Sequence, residues 1–497
     1  MTSPKVTANT ALQAFLNTPL ETTLARHLTQ AADQAAIALF HTVTTHVPAY
    51  QQYLTARQKT IPDIKNYSAF RQLPLMTKQD YILAYRLAER CWHGKLESNE
   101  MIAVSSGSTG KPIAWPRSLQ HELDIATRFE QIFKQSFHAD TRSTLAVICF
   151  ALGTWVGGMY TANCCRLLSF KGYPVTLVTP GNNKDEIYRV IEDIGNAFDQ
   201  VVLLGYPPFI KDVIDTGIAR NIDWPRYKIK MVFAGEVFSE EWRSLVCARA
   251  GAGDPCLDTA SLYGTADAGV LGNETPLSIT LRRFFSHHPE AARTLFGESR
   301  LPTLVQYDPL SRFFETHQDT LVVTGDNGVP LIRYHIADKG GIVAYDDMLE
   351  FVRKHGGGLE KEILGKPGIP LPFVYVFGRT DFTVSFFGAN IYPENVAVGL
   401  EQAGIHQWAS GKFVLRVKET ADHNELLSIT VELLPGISAD EDKQSVIADS
   451  IRQQLLRLNS EFAHYVPVEY QRPEVILRPA ADPEFFPAGV KHRYTRK

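Results

Sequence analysis

Cysteine is scarce in this chain of 497 residues, and none of its six cysteines belongs to a CxxC pair. Such sparse thiols suit a reducing cytosol better than an oxidising compartment. We therefore expect free thiols in a cytoplasmic protein, and we exclude a disulfide framework.

An excess of charge of one sign is also lacking. The chain has 50 Lys and Arg against 54 Asp and Glu, which gives a formal net charge of −4. Dense basic sequence occurs only in the extreme tail, from Lys491 to Lys497. Without a long basic face, the protein is not expected to bind nucleic acid.

Neither a signal peptide nor a membrane span is predicted. The N-terminal residues lack a basic start followed by an apolar run of roughly 7–15 residues. One uncharged stretch between Arg142 and Arg166 is long enough to cross roughly 30 Å of hydrocarbon, but Gly153, Gly157 and Asn163 interrupt it. Since strands of a parallel sheet are apolar on both faces, we predict a buried strand, a turn and a helix there.

What the chain does contain is 44% hydrophobic residues, enough for a sizeable core and more than one domain. Helical spacing of apolar residues predicts helices up to about residue 57. The runs MIAVSS, LAVICFA, QVVLLGY and IKMVFAG then alternate with amphipathic stretches. This pattern predicts an α/β fold of strands joined by crossover helices. A Pro/Gly-rich passage at 364–373 is the best linker candidate, and a shorter α+β pattern follows it.

The strongest local motif is a run of hydroxyl residues and glycines directly after a predicted strand: Ser105, Ser106, Gly107, Ser108, Thr109, Gly110, Lys111 and Pro112. Backbone N–H groups in such a loop converge on an anion, and the lysine adds a mobile positive charge. It is not a GTPase-type P-loop, because Pro112 stands where that motif has Ser or Thr. The motif indicates a phosphate loop, with a plain Ser/Gly turn as the alternative.

Four further motifs follow the phosphate loop along the chain, in this order: Tyr263 to Asp267, Pro330 to Asp338, Phe377 to Asp381, and Phe387 to Pro393. Together with the phosphate loop they resemble the ATP-binding motifs of the adenylate-forming superfamily, which includes acyl-CoA synthetases, luciferases and peptide-synthetase adenylation domains. The stretches at 46–50 and 73–78 are similar to the phenylacetate-CoA ligase branch.

The resemblance implies both fold and activity. A large N-terminal α/β domain, residues 1–380, is expected to bind ATP and the acid, and a small mobile α+β domain, residues 381–497, to rotate between two half-reactions. The implied enzyme is an AMP-forming acid–thiol ligase that uses MgATP to make an acyl adenylate and then transfers the acyl group to coenzyme A. An aromatic or aryl-alkyl acid is the expected substrate.

Carried over residue by residue, the resemblance implies a nucleotide site. Tyr263 is expected to stack on adenine, with Gly264 and Thr265 in the same turn. Asp338 is expected to bind the ribose hydroxyls, and Asp267 to face Mg²⁺. These residue types suit the chemistry, because a carboxylate accepts both hydroxyls of a ribose and is a hard oxygen ligand.

The resemblance assigns the phosphates and the acid to other segments. The loop from Ser105 to Lys111 is expected to hold the triphosphate, with Lys111 also catalytic. Gly235 and Glu236 are similar to the segment between the acyl and adenine pockets, although an ordinary strand end is an equal alternative. Arg379 is expected to support the nucleotide from the hinge side.

The remaining implied roles belong to the C-terminal part. Asp381 is the expected pivot, and the Gly388 region is expected to form part of the coenzyme A channel. Lys491 is the expected catalytic lysine, bridging the acyl carboxylate and the α-phosphate, with Lys497 as the second candidate. A solvated basic tail is the alternative for both.

The chain departs from the family's pattern in three places. Ala266 and Asp267 stand where the family usually has Ser or Thr followed by Glu, so a hydroxyl is lost and the carboxylate is shorter. The metal then sits nearer the backbone or binds through water. Ala337 replaces a residue that is often glycine or polar, and Val490 intervenes between the expected glycine and Lys491.

Several alternatives stay open at the level of sequence. The acyl acceptor could be a carrier protein or an amine, and a non-catalytic nucleotide-binding module on a retained fold is a third interpretation. The acid and the oligomeric state, a homodimer included, are not determined. Four aromatic residues are candidates either for an apolar pocket or for core packing: Trp155, Tyr160, Tyr206 and Phe238.

Overall fold

The computed structural model describes most of the chain. The described residues are 4–58, 62–104, 113–154, 156–298, 301–355, 368–378, 384–387, 389–419, 425–459, 462–463, 466–487, 492 and 494–495.

The helices begin with four consecutive segments, as the apolar spacing predicts. In chain order they are α1 Pro4–Asn17, α2 Leu20–Leu28, α3 Ala32–His46, α4 Pro48–Arg57, α5 Tyr67–Phe70, α6 Leu87–Arg90, α7 Leu119–Gln131, α8 Val156–Phe170, α9 Lys184–Ile194, α10 Pro207–Ala219, α11 Glu240–Ala250, α12 Pro255–Asp258, α13 Pro276–His287, α14 Pro289–Phe296, α15 Tyr345–His355, α16 Pro393–Leu400 and α17 Glu441–Leu458.

The strands are short in the first half of the chain and longer afterwards. They are β1 Met101–Val104, β2 Ala114–Arg117, β3 Thr144–Ile148, β4 Val175–Val178, β5 Gln200–Gly205, β6 Lys230–Ala234, β7 Thr259–Thr265, β8 Gly269–Asn273, β9 Thr303–Gln306, β10 Phe313–His317, β11 Thr320–Gly325, β12 Leu331–Val343, β13 Phe373–Gly378, β14 Val384–Phe386, β15 Ala389–Ile391, β16 Ala409–Glu419, β17 Glu425–Leu433 and β18 Glu474–Arg478.

Within the described residues, eleven strands form one large sheet in the order β10-β11-β12-β13-β9-β8-β7-β6-β5-β3-β4. The half from β4 to β7 is parallel, and the half from β7 to β10 is antiparallel. Strand β7 is therefore the switch point, since it pairs in parallel with β6 and antiparallel with β8.

Both faces of the parallel half are buried, which explains its continuously apolar strands. On β3, Ala146 and Ile148 pack with helices α7 and α8, whereas Leu145 and Val147 pack with α9, α10 and α11 on the other face. The predicted strand, turn and helix between Arg142 and Arg166 are confirmed as β3 and α8. Among the described residues, no helix is long and apolar enough to span a membrane.

The Pro/Gly-rich passage does not separate the two domains. Residues 368–372 lead directly into β13, which pairs with β12 and β9 in the middle of the antiparallel half. Leu371 and Phe373 are fully buried. The linker interpretation of 364–373 was wrong in this respect, because composition reveals a break in periodicity and not the partner of the strand that follows.

The C-terminal domain is a small α+β unit with its own core. Strand β17 pairs antiparallel with β16 and parallel with β18, and β14 and β15 form a hairpin. Helices α16 and α17 pack with these strands around a buried cluster that includes Phe413, Ile429 and Ile451. The predicted fold class, a large α/β domain followed by a small α+β domain, is confirmed.

All six cysteines are buried free thiols, as expected. Cys247 and Cys256 lie in the core of the N-terminal domain, and the neighbouring Asp254 accepts a hydrogen bond from the Cys256 backbone N–H at 2.9 Å. Asp254 is therefore the cap of α12.

Candidate functional site

The site lies at the carboxyl ends of the parallel strands. Gly235 and Glu236 directly follow β6, and Tyr263 to Thr265 end β7, its neighbour. The loop after β7 turns tightly, because the Thr265 hydroxyl accepts the Ala268 backbone N–H at 3.0 Å. A side chain at Gly264 would not fit, since a Cβ there would lie 2.7 Å from the Gly269 carbonyl oxygen.

A buried tyrosine and a buried carboxylate join the two halves of the sheet. The Tyr263 hydroxyl donates to Asp338 Oδ2 at 2.7 Å. Tyr263 lies on β7, the last strand of the parallel half. Asp338 lies on β12, which is the fourth strand from β7 in the sheet. The sheet is curled enough to bring the aromatic ring and the carboxylate, predicted to bind adenine and ribose, into contact.

Asp338 reaches this place because β12 is irregular. Opposite β11, Val322 pairs with His335 but Thr320 pairs with Lys339, so extra residues bulge from β12 just before Lys339. Within that bulge Ala337 has a φ of 64°. This left-handed conformation favours glycine, so Ala337 is strained here.

The second carboxylate is held by a tyrosine and an arginine. Tyr334, also on β12, donates its hydroxyl to Asp267 Oδ2. Arg117, at the end of β2, donates to the Ala266 carbonyl and, at 3.4 Å, to the Asp267 carbonyl. Asp267, Tyr334 and Arg117 are all at least nine-tenths buried. The guanidinium thus fixes the backbone that presents Asp267 and supplies positive charge beneath it.

Behind this loop lies a neutral histidine. His121 Nε2 is 3.3 Å from the Ala268 carbonyl oxygen, and its Nδ1 is 3.1 Å from the Tyr160 hydroxyl. Burial and the positive charges of Arg312 and Arg117 hold the pKa of His121 well below its usual range. Since a carbonyl only accepts, Nε2 carries the proton and Nδ1 accepts from Tyr160. Tyr160 is therefore part of the packed core.

The segment after β6 faces an aromatic pair. Gly235 has a φ of 87°, and a Cβ there would lie 2.8 Å from the Tyr206 ring. Tyr206 in turn meets Phe150 edge to face, with ring centroids 5.0 Å apart. Phe238 packs instead against Trp242 in the core. Of the three aromatic candidates that the structure describes, Tyr206 is the one whose ring lies against Gly235.

Glu236 contacts the C-terminal tail. The Tyr494 hydroxyl donates to Glu236 Oε2 at 2.9 Å. Burial and the neighbouring Glu236 carboxylate raise the pKa of Tyr494, so the phenol keeps its proton and acts as a donor.

The described part of the chain therefore brings together seven of the predicted site residues: Gly235, Glu236, Tyr263, Gly264, Thr265, Asp267 and Asp338. The others lie outside the described residues, and their roles stay predictions: Ser105, Ser106, Gly107, Ser108, Thr109, Gly110, Lys111, Arg379, Asp381, Gly388, Lys491 and Lys497. The pocket candidate Trp155 also lies outside.

Three contact residues were not predicted: Arg117, Tyr334 and Tyr494. The sequence signal for Arg117 is a charged residue that follows Trp115 and Pro116 just before a helix. An arginine buried in such apolar surroundings needs a specific partner. A second register shift, between the pairs Val323–Tyr334 and Gly325–Leu331, hides the orientation of Tyr334 from any alternation of polar and apolar residues. Nothing in the tail sequence distinguishes Tyr494.

No protein-family model and no curated protein sequence matches this chain. Solved structures do match. A 2-hydroxyisobutyryl-CoA ligase in the postadenylation state, in complex with R3-HIB-AMP, is 12% identical over 93% of this chain and 87% of its own, with a TM-score of 0.63. The same enzyme with 2-HIB-AMP and CoA in the thioesterification state is 13% identical over 93% and 88% of the two chains, with a TM-score of 0.51.

This chain thus has the fold of these solved CoA ligase structures.

Proposed function

We propose that this protein is an AMP-forming carboxylic acid–CoA ligase of the phenylacetate-CoA ligase type. The observation that carries the proposal is the pair of buried carboxylates, Asp338 and Asp267, each bonded to a tyrosine hydroxyl at the switch point of the sheet. Their positions in the chain are those at which the sequence motifs require ribose and metal ligands.

The nucleotide is bound by the Tyr263 and Asp338 pair. The flat ring of Tyr263 stacks on adenine, while the Asp338 carboxylate accepts hydrogen bonds from the ribose hydroxyls. A carboxylate has two oxygens with about four acceptor positions, so Asp338 binds ribose without losing the Tyr263 hydroxyl. The existing bond therefore holds the carboxylate in place before ATP arrives.

Mg²⁺ is the implied metal, and the donor set fits it. Asp267 supplies a hard oxygen ligand, and its loop is fixed by Arg117 and Tyr334. When bound with the triphosphate, Mg²⁺ neutralises charge that would otherwise repel the incoming carboxylate. Ala266 offers no hydroxyl, so the Arg117 contacts to the backbone replace a side-chain anchor at this point.

The reaction proceeds in two half-reactions. In the first, an oxygen of the substrate carboxylate attacks the α-phosphorus of ATP, the bond to the pyrophosphate oxygen breaks, and an acyl adenylate forms. Lys111 and Lys491 are the proposed cations that stabilise the developing charge. In the second, a thiol attacks the acyl carbon, loses its proton, and displaces AMP. Coenzyme A is the proposed thiol, reaching the adenylate along the Gly388 region after the domain turns about Asp381.

The proposed acid is aromatic or aryl-alkyl. The aromatic residues beside Gly235 support this proposal. The exposed Gly235 backbone lies against Tyr206, whose ring meets Phe150 edge to face, and the two rings offer apolar surface next to Glu236.

A panel of carboxylic acids tests the proposal, with pyrophosphate release and product mass measured with and without coenzyme A. The expected result is acid-dependent pyrophosphate release and an acyl-CoA mass for aryl acids. Release without a thioester would indicate a carrier protein or an amine as acceptor, and no release with any acid would support the non-catalytic module.

A further inference from the structure

Within the described residues, four hydrogen bonds connect the two domains. On the N-terminal domain the donors are Lys211, Ser239 and Arg249, and on the C-terminal domain the donor is Tyr494. Ser239 Oγ donates to Glu401 Oε2 at 2.6 Å, Arg249 to the His406 carbonyl at 2.8 Å, Lys211 to the Ser410 carbonyl at 3.2 Å, and Tyr494 to Glu236 Oε2 at 2.9 Å.

The Tyr494 contact differs from the other three because it reaches a predicted site residue. Glu236 follows β6 in the segment that separates the proposed acyl and adenine pockets. The other three contacts are made by Lys211 of α10, Arg249 of α11 and Ser239 just before α11, and none of these three residues is a predicted site residue. Only Tyr494, among these four, couples domain position to the site itself.

The tail that carries Tyr494 is fastened to the C-terminal domain. The Leu415 backbone N–H donates to the Tyr494 carbonyl at 2.7 Å, and Thr495 forms a bridge with Leu415 of β16. His492 Nε2 lies 2.6 Å from the Phe413 carbonyl oxygen, and the Tyr494 ring packs against Phe413 at 5.0 Å. When the C-terminal domain turns, Tyr494 must move with it, and the bond to Glu236 must break.

We propose that Tyr494 is a positioning residue that fastens the C-terminal tail to Glu236 in the adenylating arrangement and is released for thioester formation. Lys491, the proposed catalytic lysine, precedes Tyr494 by three residues in the sequence. A bond to Tyr494 therefore acts three residues from Lys491 in the sequence, although Lys491 itself lies outside the described residues. This inference rests on the proposed function, which supplies the two half-reactions.

The chemistry of the bond suits a reversible fastener. A hydrogen bond from a neutral hydroxyl to a carboxylate is stronger than a hydrogen bond between two neutral groups. It can still break, because water solvates both partners once they separate. We call the domains docked when the C-terminal domain makes these contacts with the N-terminal domain. Loss of the bond between Tyr494 and Glu236 should reduce the ratio of docked to undocked molecules by about tenfold, which is the scale of one hydrogen bond to a charged group.

Tyr494→Phe removes the hydroxyl and keeps the ring. We expect adenylate formation, followed by pyrophosphate exchange, to slow by about tenfold, while thioester formation from supplied acyl adenylate is unchanged or faster. In a Glu236→Ala background the same substitution should have no further effect, because its partner is gone. Tyr173→Phe is the matched control, since Tyr173 donates to Glu130 at the same 2.9 Å distance but within the N-terminal domain.

Small-angle X-ray scattering of the full chain gives a second readout that needs no substrate. Tyr494→Phe should increase the undocked fraction relative to wild type, whereas Tyr173→Phe should not. Unchanged scattering and an unchanged ratio of half-reactions would overturn the inference, as would equal slowing of both half-reactions. If wild type has no activity with any acid, the proposed function fails, and scattering still decides whether Tyr494 fastens the tail.

Discussion

At the scale of single residues, the buried carboxylates explain why the site contains tyrosines. Asp267 and Asp338 are 7% and 6% exposed, and a buried charge without a partner is strongly unfavourable. Tyr334 and Tyr263 each donate one hydrogen bond, which stabilises the charge before any ligand binds. The tyrosines therefore make the site stable in its empty form.

Replacing Asp338 with alanine should weaken ATP binding far more than acid binding. The substitution removes the acceptor for two ribose hydroxyls, which corresponds to about 3 kcal/mol or more. Isothermal calorimetry with ATP and with the acid separates the two effects.

Tyr263→Phe is the informative companion variant, because it removes the hydroxyl that holds Asp338 but retains the ring. Its ATP affinity should fall less than that of Asp338→Ala. Unchanged ATP affinity in a folded Asp338→Ala protein would remove Asp338 from the nucleotide site.

Replacing Arg117 with leucine should lower the adenylation rate by roughly 100-fold without raising the KM for the acid. Two backbone carbonyls lose their donor, at about 1–3 kcal/mol each, and the loop that presents Asp267 loosens. Steady-state kinetics of pyrophosphate release measures both parameters.

Arg312→Leu serves as the matched control. Arg312 is equally buried, but it donates to the Ser311 carbonyl and not to the Asp267 loop. Both variants should unfold at lower temperature than wild type. Equal loss of activity in the two variants would mean that Arg117 acts only on stability.

The sequence motifs named Tyr263, Asp267 and Asp338 as parts of one site, but they did not name the residues that hold the Asp267 loop. Tyr263 and Asp338 were placed through motifs, and the structure joins them. Arg117 and Tyr334 could not be placed, because their partners are more than 60 residues away in the chain and no local pattern encodes such a contact.

At the scale of elements, β12 is the strand whose irregularity matters most. Its bulge turns Asp338 toward the site and forces Ala337 to a φ of 64°. A non-glycine residue in the left-handed region is strained by about 1–2 kcal/mol. The strand thus retains strain where it positions a predicted ligand of ATP.

Ala337→Gly should therefore stabilise the N-terminal domain by up to about 1 kcal/mol, since relief of strain exceeds the entropy that glycine adds to the unfolded chain. Urea unfolding followed by fluorescence measures the change. Ala146→Gly in β3 is the control, and it should destabilise the domain because that strand residue is buried and regular. Destabilisation by both variants would contradict the strain argument.

Periodicity predicted the parallel strands and the C-terminal elements correctly, because each has a simple apolar pattern. It failed at β13, whose approach through Gly368 to Pro372 resembles a linker. Sheet membership is decided by partners far away in sequence, here β12 and β9, and local composition contains no information about them.

At the scale of the whole molecule, the domain interface contains a titratable group. Burial and the nearby Glu241 carboxylate raise the pKa of Glu401 to about 7, against the opposing effects of the Ser239 hydrogen bond and Lys211. The docked arrangement therefore favours protonated Glu401. Its contribution to docking is fully present below the ordinary pKa of 4.5 and is lost as pH rises through about 7.

We predict that the undocked fraction of wild type, measured by small-angle scattering, rises between about pH 5 and pH 7. Glu401→Gln should remove most of this rise, because the amide stays neutral and still accepts from Ser239. A pH dependence identical in the two proteins would assign the effect to another group.

Adenylate formation is the central claim, and acid-dependent exchange of labelled pyrophosphate into ATP measures it without reference to the acyl acceptor. The account predicts exchange with at least one aryl or aryl-alkyl acid, dependent on Mg²⁺, and its loss in Asp338→Ala. Absence of exchange across the whole acid panel, or exchange that survives undiminished in Asp338→Ala, would contradict it.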